Sequence, residues 1–231
     1  MGERYYVGAD EAGRGSLVGE MIVAVAAVPE SIYNTLRDMG VRDSKELTAE
    51  KRRSLYRELS RTLVFAVVPV APQDIDRENL NLLTAKAIVR GFNIVSSRVG
   101  IKNVRRVVID KFGDPTSLRL ELRKAGYLGP LIIEEKADKN YPEVSAASII
   151  AKHVRDSRIR VLSKIYGVEG SGYPSDPRTV AWLERVLAGG SPPPPIVRLS
   201  WGTLKGTPWF VEKKNARRGR RVTLEDFFGT G

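Results

Sequence analysis

Four acidic residues stand where a strand, or the turn after it, would expose them. Asp10 and Glu11 follow an apolar run, Asp110 ends the segment RRVVID, and Asp138 lies just before a long predicted helix. In an open sheet, chemistry tends to lie at the carboxyl ends of strands, so Asp10 and Asp110 would meet if their strands are neighbours. Clustered carboxylates raise one another's pKa, and Mg²⁺ or Mn²⁺ relieves their repulsion through oxygen ligands. The four acids therefore predict a divalent-metal site.

Each acid also has an ordinary structural interpretation. Acids favour the positive end of a helix dipole, and Asp138 could simply begin the helix that follows it. Asp114 precedes Pro115 and is typical of a turn. Spacing alone does not decide between these interpretations, because ligands from distant segments meet only through the fold.

The composition argues against several other kinds of site. The chain has 231 residues, no cysteine and one histidine, His153. These counts exclude a disulfide framework and a thiolate zinc site, and they argue against imidazole-rich metal sites and most serine triads. His153 is therefore predicted to be an ordinary helix residue. The apolar run at residues 21–28 is too short to span a bilayer and no signal-peptide pattern precedes it, so a cytoplasmic protein without membrane contact is expected.

The charge of the chain points to a polyanionic partner. The formal net charge is +11 and the sequence pI is about 9.9. Six basic residues lie in the run KKNARRGRR at residues 213–221, but residues 1–212 still carry a net charge of +7. Because basic side chains that meet phosphates release counterions, this balance is typical of nucleic-acid binding. A basic protein with an acidic metal pocket indicates phosphodiester chemistry.

The elements that must position these acids alternate between strands and helices, which indicates an α/β fold. Apolar runs predict strands at residues 4–10, 19–28, 62–71, 105–110 and 131–133. Apolar stripes and cap residues predict helices at residues 80–99, 116–125, 144–166 and 180–187. Thr48 is predicted to cap a further helix. We expect a catalytic core at 1–167, a C-terminal extension packed on it at 168–211, and a basic tail at 212–231.

Six blocks of the sequence, in this order, resemble the signature blocks of the ribonuclease HII family, the type 2 ribonucleases H. The blocks are GADEAGRGSLVGE, DSKELT, VVIDKFGD, EKADKNYPEVSAASIIAKHVRD, GSGYPSDPRT and PPIVRLSWGTLK. The resemblance runs from about Tyr5 to Lys205, and the fifth block marks it as closest to the archaeal branch. The resemblance implies a ribonuclease H-like fold, with a mixed five-stranded sheet, flanking helices and a helical C-terminal extension. It also implies a monomeric, metal-dependent endoribonuclease. Such an enzyme hydrolyses the RNA strand of RNA/DNA hybrids and cuts at ribonucleotides embedded in duplex DNA, leaving a 5′ phosphate and a 3′ hydroxyl.

The resemblance further implies roles for individual residues. The catalytic, metal-binding acids would be Asp10, Glu11, Asp110 and Asp138, with two Mg²⁺ or Mn²⁺ ions between them. The residues that contact substrate would be Gly13, Arg14, Gly15, Ser44, Lys45, Lys152 and Tyr173. The glycine turn and the tyrosine would together read an RNA-to-DNA junction through the ribose 2′-OH. A plain glycine turn, a buried tyrosine and solvated lysines are the alternative interpretations.

One departure from the family pattern bears on the metal. Glu135 stands where archaeal members often have histidine. Because this residue precedes Asp138 closely, the choice between Mg²⁺ and Mn²⁺ stays open.

The tail contains a pattern of its own. Leu224, Phe227 and Phe228 recur at i, i+3 and i+4, so a single helical turn would bring them onto one face. The pattern resembles the box that binds a sliding clamp (PCNA), with Arg221 where the family of such boxes has glutamine. The alternative is a terminus that folds back to bury its phenylalanines.

Two rival functions remain open from the residues alone. A ribonuclease H-like DNA nuclease, such as a resolvase or transposase, uses the same metal chemistry, and a non-catalytic nucleic-acid-binding protein could retain the acids as relics. The glycine turn and Tyr173 argue against the first, and the presence of all four acids argues against the second.

Overall fold

The structure of the protein is a computed structural model, which describes residues 2–38, 48–113 and 116–213. Five strands form its sheet: β1 Tyr5–Ala12, β2 Met21–Pro29, β3 Val64–Val70, β4 Val104–Asp110 and β5 Leu131–Glu134. Eight α-helices lie in these ranges: α1 Tyr33–Asp38, α2 Ala49–Thr62, α3 Pro72–Arg77, α4 Leu80–Val99, α5 Thr116–Lys124, α6 Ala137–Asn140, α7 Pro142–Tyr166 and α8 Pro177–Ala188. Short 3₁₀ turns lie at Glu30–Ile32, Ile101–Asn103 and Gly202–Leu204.

The sheet is mixed, with the strand order β3-β2-β1-β4-β5. β2 pairs antiparallel with both β1 and β3, whereas β4 runs parallel to β1 and β5 runs parallel to β4. β1 therefore lies at the centre, and its carboxyl end shares an edge of the sheet with the carboxyl ends of β4 and β5. The expectation of an α/β fold with a mixed five-stranded sheet is confirmed.

Helices cover both faces of the sheet, which explains the unbroken apolar run of β2. Val23, Val25 and Ala27 pack in the cluster that contains α4, on one face. The alternate residues Ala24 and Ala26 pack with α2 and α7 on the opposite face. Successive side chains of a strand point to opposite faces, so a strand buried on both sides must be apolar throughout.

Helix α7 crosses β1 at very short range, and Gly8 makes the crossing possible. A Cβ placed on Gly8 would lie 2.2 Å from the carbonyl carbon of Glu143. The Glu143 side chain is fully buried and accepts hydrogen bonds from Arg106 Nε (2.9 Å) and the Tyr33 hydroxyl (3.0 Å). The beginning of α7 is thus held over β1 and β4 by backbone contact and by an ion pair between the half-buried Arg106 and the fully buried Glu143.

The C-terminal segment packs against the loop between β1 and β2. Its apolar cluster consists of Leu17, Val18, Val168, Trp182, Leu183, Val197 and Leu204. A single bridge joins Val18 to Val197 in antiparallel sense. Through these contacts the last part of the described chain supports the loop that follows Asp10 and Glu11.

Three apolar residues of the long helices face solvent: Ile94 of α4 is 38% exposed, and Val161 and Ile165 of α7 are 47% and 64% exposed. The last turns of α7 contact the C-terminal cluster through Leu162 and through the carbonyl oxygen of Tyr166, which accepts the Trp182 N–H (3.3 Å). Among the described residues, no helix combines the length and the apolar character needed to cross a membrane.

We predict that Gly8→Ala lowers the free energy of unfolding by about 1–3 kcal/mol, because its methyl group would overlap backbone that cannot move without displacing α7. Urea denaturation measures this difference. Gly202→Ala is the matched control, because a Cβ there meets nothing within 4 Å. Equal stability of the two variants would show that the crossing is not tight.

Candidate active site

Strand pairing brings two of the four predicted acids together. Ala9 of β1 lies opposite Ile109 of β4, so the next residues along, Asp10 and Asp110, are neighbours at the carboxyl ends of two parallel strands. Asp110 Oδ1 accepts a hydrogen bond from the backbone N–H of Ala137 (2.9 Å), and the following residue, Asp138, is 3% exposed. The turn that begins α6 thus holds the backbone just before Asp138 against Asp110.

Asp10 and Glu11 are adjacent in sequence but belong to opposite faces of the sheet. Asp10 lies on the α7 face, where the Ser148 side chain hydrogen-bonds to it. Glu11 lies toward α4: its Oε1 is 3.9 Å from Arg14 Nη1, and Arg14 in turn bonds to residues of α4. The two acids therefore flank the strand end from both sides, as the alternation of a strand requires.

Burial and mutual repulsion make these carboxylates harder to ionise. Burial, together with the charge of Asp110, raises the pKa of Asp10 to about 6, against the Ser148 hydrogen bond and the charge of Lys152, which lower it. Burial, with the charges of Asp10 and Asp110, raises the pKa of Glu11 to about 7 against the Arg14 charge, which lowers it. Like charges held this close favour a cation between them.

Several carboxylate oxygens are engaged by groups of the protein itself. Asp10 Oδ1 accepts the backbone N–H of Glu11 (2.8 Å), and Asp110 Oδ1 accepts that of Ala137. In the part of the chain that the structure describes, no group of three or more acidic or histidine side chains is arranged so that it could hold a metal ion. The chemistry of the donor set, carboxylate oxygens alone, nevertheless fits Mg²⁺ or Mn²⁺.

Arg14 points into the protein and joins three elements. Its guanidinium donates to Thr84 Oγ1 (2.8 Å), to Asn81 Oδ1 and to the carbonyl oxygen of Phe112 (3.2 Å). Its charge therefore lies between β1, the beginning of α4 and the loop after β4. In this arrangement Arg14 fixes the glycine loop in place and counters the charge of Glu11.

Gly13 and Tyr173 meet, although 160 residues separate them in the chain. The backbone N–H of Gly13 donates to the Tyr173 hydroxyl (3.0 Å), and Gly13 has a φ of 82°, which side chains rarely adopt. The guanidinium carbon of Arg155 lies 4.2 Å from the centre of the Tyr173 ring. Arg155, on α7, also donates to Ser16 Oγ (3.0 Å), so the loop, the tyrosine and α7 form one unit.

Two buried charged residues, which the sequence analysis did not single out, brace this unit. Arg198 is fully buried and donates to the carbonyl oxygens of Gly13 (2.7 Å), Arg14 (2.8 Å) and Gly19 (2.9 Å). Asp76 on α3 accepts the backbone N–H groups of the two residues after Arg198, each at 2.9 Å. Arg198 lies in the block PPIVRLSWGTLK, but no periodicity marks it, because its partners are backbone atoms far away in sequence.

A further acid, Glu134, was also missed. It pairs with Asp110 in the β4–β5 register, and it accepts hydrogen bonds from the Tyr141 hydroxyl (3.0 Å) and from Asn140 (2.6 Å).

Glu135, which precedes Asp138 closely in the sequence, is exposed and pairs with Lys111 (2.9 Å). His153 stacks on Tyr56 with ring centroids 4.0 Å apart, in keeping with an ordinary helix residue.

Several residues named in the sequence analysis lie outside the part of the chain that the structure describes. Ser44 and Lys45 lie outside the described residues, as does Asp114. The same holds for the three apolar tail residues Leu224, Phe227 and Phe228.

A comparison with family models decides the assignment. The model described as Ribonuclease HII matches residues 7–204. The chain belongs to the ribonuclease HII family. A relative from Aeropyrum pernix named Ribonuclease HII is 46% identical over 227 residues, which cover 96% of this chain and 98% of the relative.

Solved structures agree with the ribonuclease HII assignment. The ribonuclease H2 of Pyrococcus horikoshii is 40% identical with a TM-score of 0.75, covering 87% of this chain and 95% of that one. A PCNA:RNase HII complex from Archaeoglobus fulgidus is 32% identical with a TM-score of 0.73, covering 96% of this chain and all of that one. Bst-RNase HIII, at 21% identity and a TM-score of 0.76, shares the fold.

The family assignment selects one function among those that the residues left open. The chain is a ribonuclease H, an endoribonuclease that hydrolyses the RNA strand of RNA/DNA hybrids. Cutting at ribonucleotides embedded in duplex DNA, with a 5′ phosphate and a 3′ hydroxyl as products, is typical of the family. A DNA nuclease of the resolvase type and a non-catalytic binding protein are therefore set aside.

Proposed function

We propose that Asp10, Glu11, Asp110 and Asp138 hold the divalent ions with which this enzyme cuts RNA. The observation that carries the proposal is the parallel β1–β4 pairing, which sets Asp10 beside Asp110. The pKa values of Asp10 and Glu11, raised by burial and by neighbouring carboxylates, support it, because a bound cation would offset both effects. Dependence on divalent metal ions is a property of the ribonuclease H family.

The ions themselves are proposed to be two Mg²⁺ or Mn²⁺ ions. Bst-RNase HIII was solved in complex with Mn²⁺, and oxygen-only ligands suit both metals. When bound, such ions activate a water molecule and stabilise the charge that develops on the leaving 3′ oxygen.

The protein's own side chains orient the carboxylates and set the charge around them. Ser148 orients the Asp10 carboxylate, and Lys152 adds a positive charge on the side where a phosphate would approach. Arg14 holds Glu11 from the opposite face. No side chain has to act as a nucleophile, which agrees with a chain that has no cysteine and one histidine.

Substrate recognition is proposed to lie in the loop Gly13-Arg14-Gly15 and in Tyr173. The Tyr173 hydroxyl and the Gly13 N–H already form one contact, so a nucleotide that binds one meets the other. A ribose 2′-OH both donates and accepts, which lets backbone groups of this loop distinguish RNA from DNA. Ser44, Lys45 and Lys152 are proposed to contact phosphates.

We also propose the division of the chain that the sequence suggested, with a catalytic core at 1–167, an extension at 168–211 and a tail at 212–231. Support comes from the hydrogen bonds of Arg198, by which the extension braces the core loop. The enzyme is proposed to act as a monomer in the cytoplasm, where its nucleic-acid substrate would lie.

We expect Asp10→Asn and Asp110→Asn each to abolish cleavage of a DNA duplex that contains one ribonucleotide, because an amide is a much poorer ligand for Mg²⁺ than a carboxylate. Cleavage is measured with and without metal, beside an all-DNA duplex. Asp74→Asn is the matched control, since Asp74 is exposed on α3. Full activity in either test variant would refute the assigned ligands, and no metal-dependent cut by the wild type would refute the proposed function.

We expect Tyr173→Ala to reduce cleavage at a single embedded ribonucleotide more than cleavage of a long RNA/DNA hybrid. A single ribonucleotide offers one RNA-to-DNA junction, and its recognition would depend on one stacking contact with Tyr173. Such contacts contribute about 1–3 kcal/mol per base, which corresponds to roughly a 5- to 150-fold loss of kcat/KM. Tyr173→Phe separates the ring from its hydroxyl, which accepts the Gly13 N–H. Equal losses on both substrates would assign Tyr173 a structural role only.

We propose further that the tail residues Leu224, Phe227 and Phe228 bind a sliding clamp. Support comes from the spacing of the three apolar residues and from the Archaeoglobus fulgidus relative, which was solved as a PCNA:RNase HII complex. Tethering to a clamp on DNA would raise the local concentration of enzyme at its substrate, and the basic run at 213–221 would follow nearby phosphates.

We expect the double variant Phe227→Ala, Phe228→Ala to lose binding to the cognate clamp and to lose stimulation of cleavage by that clamp. Calorimetry with the purified clamp measures the first, and cleavage with and without clamp measures the second. Cleavage without clamp serves as the check that the fold is intact. Wild-type clamp affinity in the variant would favour a terminus that folds back on the body.

A further inference from the structure

Much of the positive charge of the described chain lies on two neighbouring helices. α2 carries five basic residues and two acidic ones. The part of α7 from Lys152 onward carries five basic residues and one acidic one. Both helices pack on the same face of the sheet, in the cluster that contains Leu55, Leu59 and Ile150. The charge is therefore concentrated on one side of the molecule.

The two helices enclose an open groove of about 630 Å³. The charged and polar side chains that line the groove are Glu50, Arg52, Arg53, His153, Asp156, Ser157 and Arg160. The groove is open to solvent. Its size and its charge suit a chain of phosphates better than an apolar ligand.

Of the two acids that line the groove, Glu50 and Asp156, the second is already paired with basic side chains of the protein. Asp156 Oδ2 lies 2.7 Å from Arg52 Nη1, and its other oxygen lies 3.6 Å from Arg155 Nη1. Arg160, in contrast, donates to the hydroxyl of Ser157 (2.7 Å), a neutral partner. Arg53 and Arg160 are both exposed. These two guanidiniums thus retain positive charge that can meet a ligand.

The positive charges of the groove converge on His153. Burial lowers the pKa of its imidazole, and the charges of Arg160, Arg53 and Arg52 lower it further, against Asp156, which raises it. Three guanidiniums from two helices therefore act on one ring. A polyanion in the groove would relieve this repulsion.

The groove continues from the active site along α7. Ser148 and Lys152 of this helix interact with Asp10, and the groove begins at the next residue, His153. Lys152 and Arg160 are separated by about 12 Å along the helix axis, at 1.5 Å per residue. That distance corresponds to roughly three to four base-pair steps of a duplex, at about 3.4 Å each.

We propose that the groove between α2 and α7 binds the phosphate backbone of the substrate duplex a few base pairs from the point of cleavage, through Arg53 and Arg160. This inference rests on the proposed function, because it takes the carboxylate edge as the point where the strand is cut. The groove reads no bases. It holds the duplex in register while the carboxylate edge and the loop at Gly13 act on one nucleotide.

The test measures binding rather than cleavage. Fluorescence anisotropy follows a labelled DNA duplex with one ribonucleotide, in EDTA, for the wild type and for the double variant Arg53→Ala, Arg160→Ala. The matched control is Arg90→Ala, Arg98→Ala, which removes the same charge from exposed positions of α4, on the opposite face of the sheet. Because no metal and no cleavage are needed, failure of this test and failure of the proposed catalytic site are distinguishable.

We expect the groove variant to bind about 10-fold more weakly at low salt, and its plot of log K against log salt to be shallower by about 1.8, the value for two lost phosphate contacts. The control variant keeps the wild-type slope. Equal losses in the two variants would mean that the charge acts only at long range, and would overturn the proposal.

Two shortened duplexes locate the contact. One ends about two base pairs from the ribonucleotide on its 5′ side and the other about two base pairs away on its 3′ side, too short to span the roughly 12 Å to Arg160. Wild type and groove variant should bind one of them equally and differ on the other. A difference that persists on both, or competition by a mononucleotide at low concentration, would overturn the proposal in favour of a small-anion site.

Discussion

The parallel pairing of β1 with β4 forces two carboxylates, Asp10 and Asp110, side by side at one edge of a buried sheet. Backbone hydrogen bonds of the two strands fix this proximity, so the repulsion between the acids cannot be relieved by moving them apart. Neighbouring elements supply groups that face these acids and offset their charge. Ser148 and Lys152 face Asp10, Arg14 faces Glu11, and the backbone of Ala137 faces Asp110.

The close crossing of α7 over β1 turns this edge into a site with a defined shape. Gly8 lets the helix approach, and the helix then carries Ser148, Lys152 and Arg155 past successive positions of the strand and its loop. The same helix thus serves the carboxylates, the tyrosine and the basic groove. A second constraint comes from Arg198 in the C-terminal segment, whose buried guanidinium donates to the carbonyl oxygen of Gly13 in the loop after β1. Removing it would leave the buried carbonyl oxygen of Gly19 without the Arg198 donor, at a cost of about 1–3 kcal/mol.

Local patterns in the sequence predicted the elements well. Helix α4 has the predicted bounds, Thr48 caps α2 by accepting the N–H of Lys51 (3.2 Å), and the unbroken apolar run of β2 is buried on both sides. These features depend on near neighbours in the chain. The spacing of apolar residues predicted α7, but it does not show which of them are buried, and Val161 and Ile165 are exposed.

The site was predictable only in part. The acids could be named because strand ends expose them, and the glycine loop and Tyr173 because a family resemblance marked them. Arg198, Asp76 and Arg155 act through contacts between segments that are up to 185 residues apart, so no local pattern indicates them. The basic groove forms because α2 and α7 pack side by side. The spacing of residues within either helix does not indicate that packing.

The carboxylates at the β1–β4 edge are proposed to bind a divalent cation. Titration of Mn²⁺ into the enzyme, followed by electron paramagnetic resonance of the free ion, tests this proposal without substrate. We expect saturable binding by the wild type and by Asp74→Asn, and a loss of affinity of at least about 10-fold in Asp110→Asn, since the amide is a poor ligand. Equal Mn²⁺ affinity in Asp110→Asn and the wild type would contradict it.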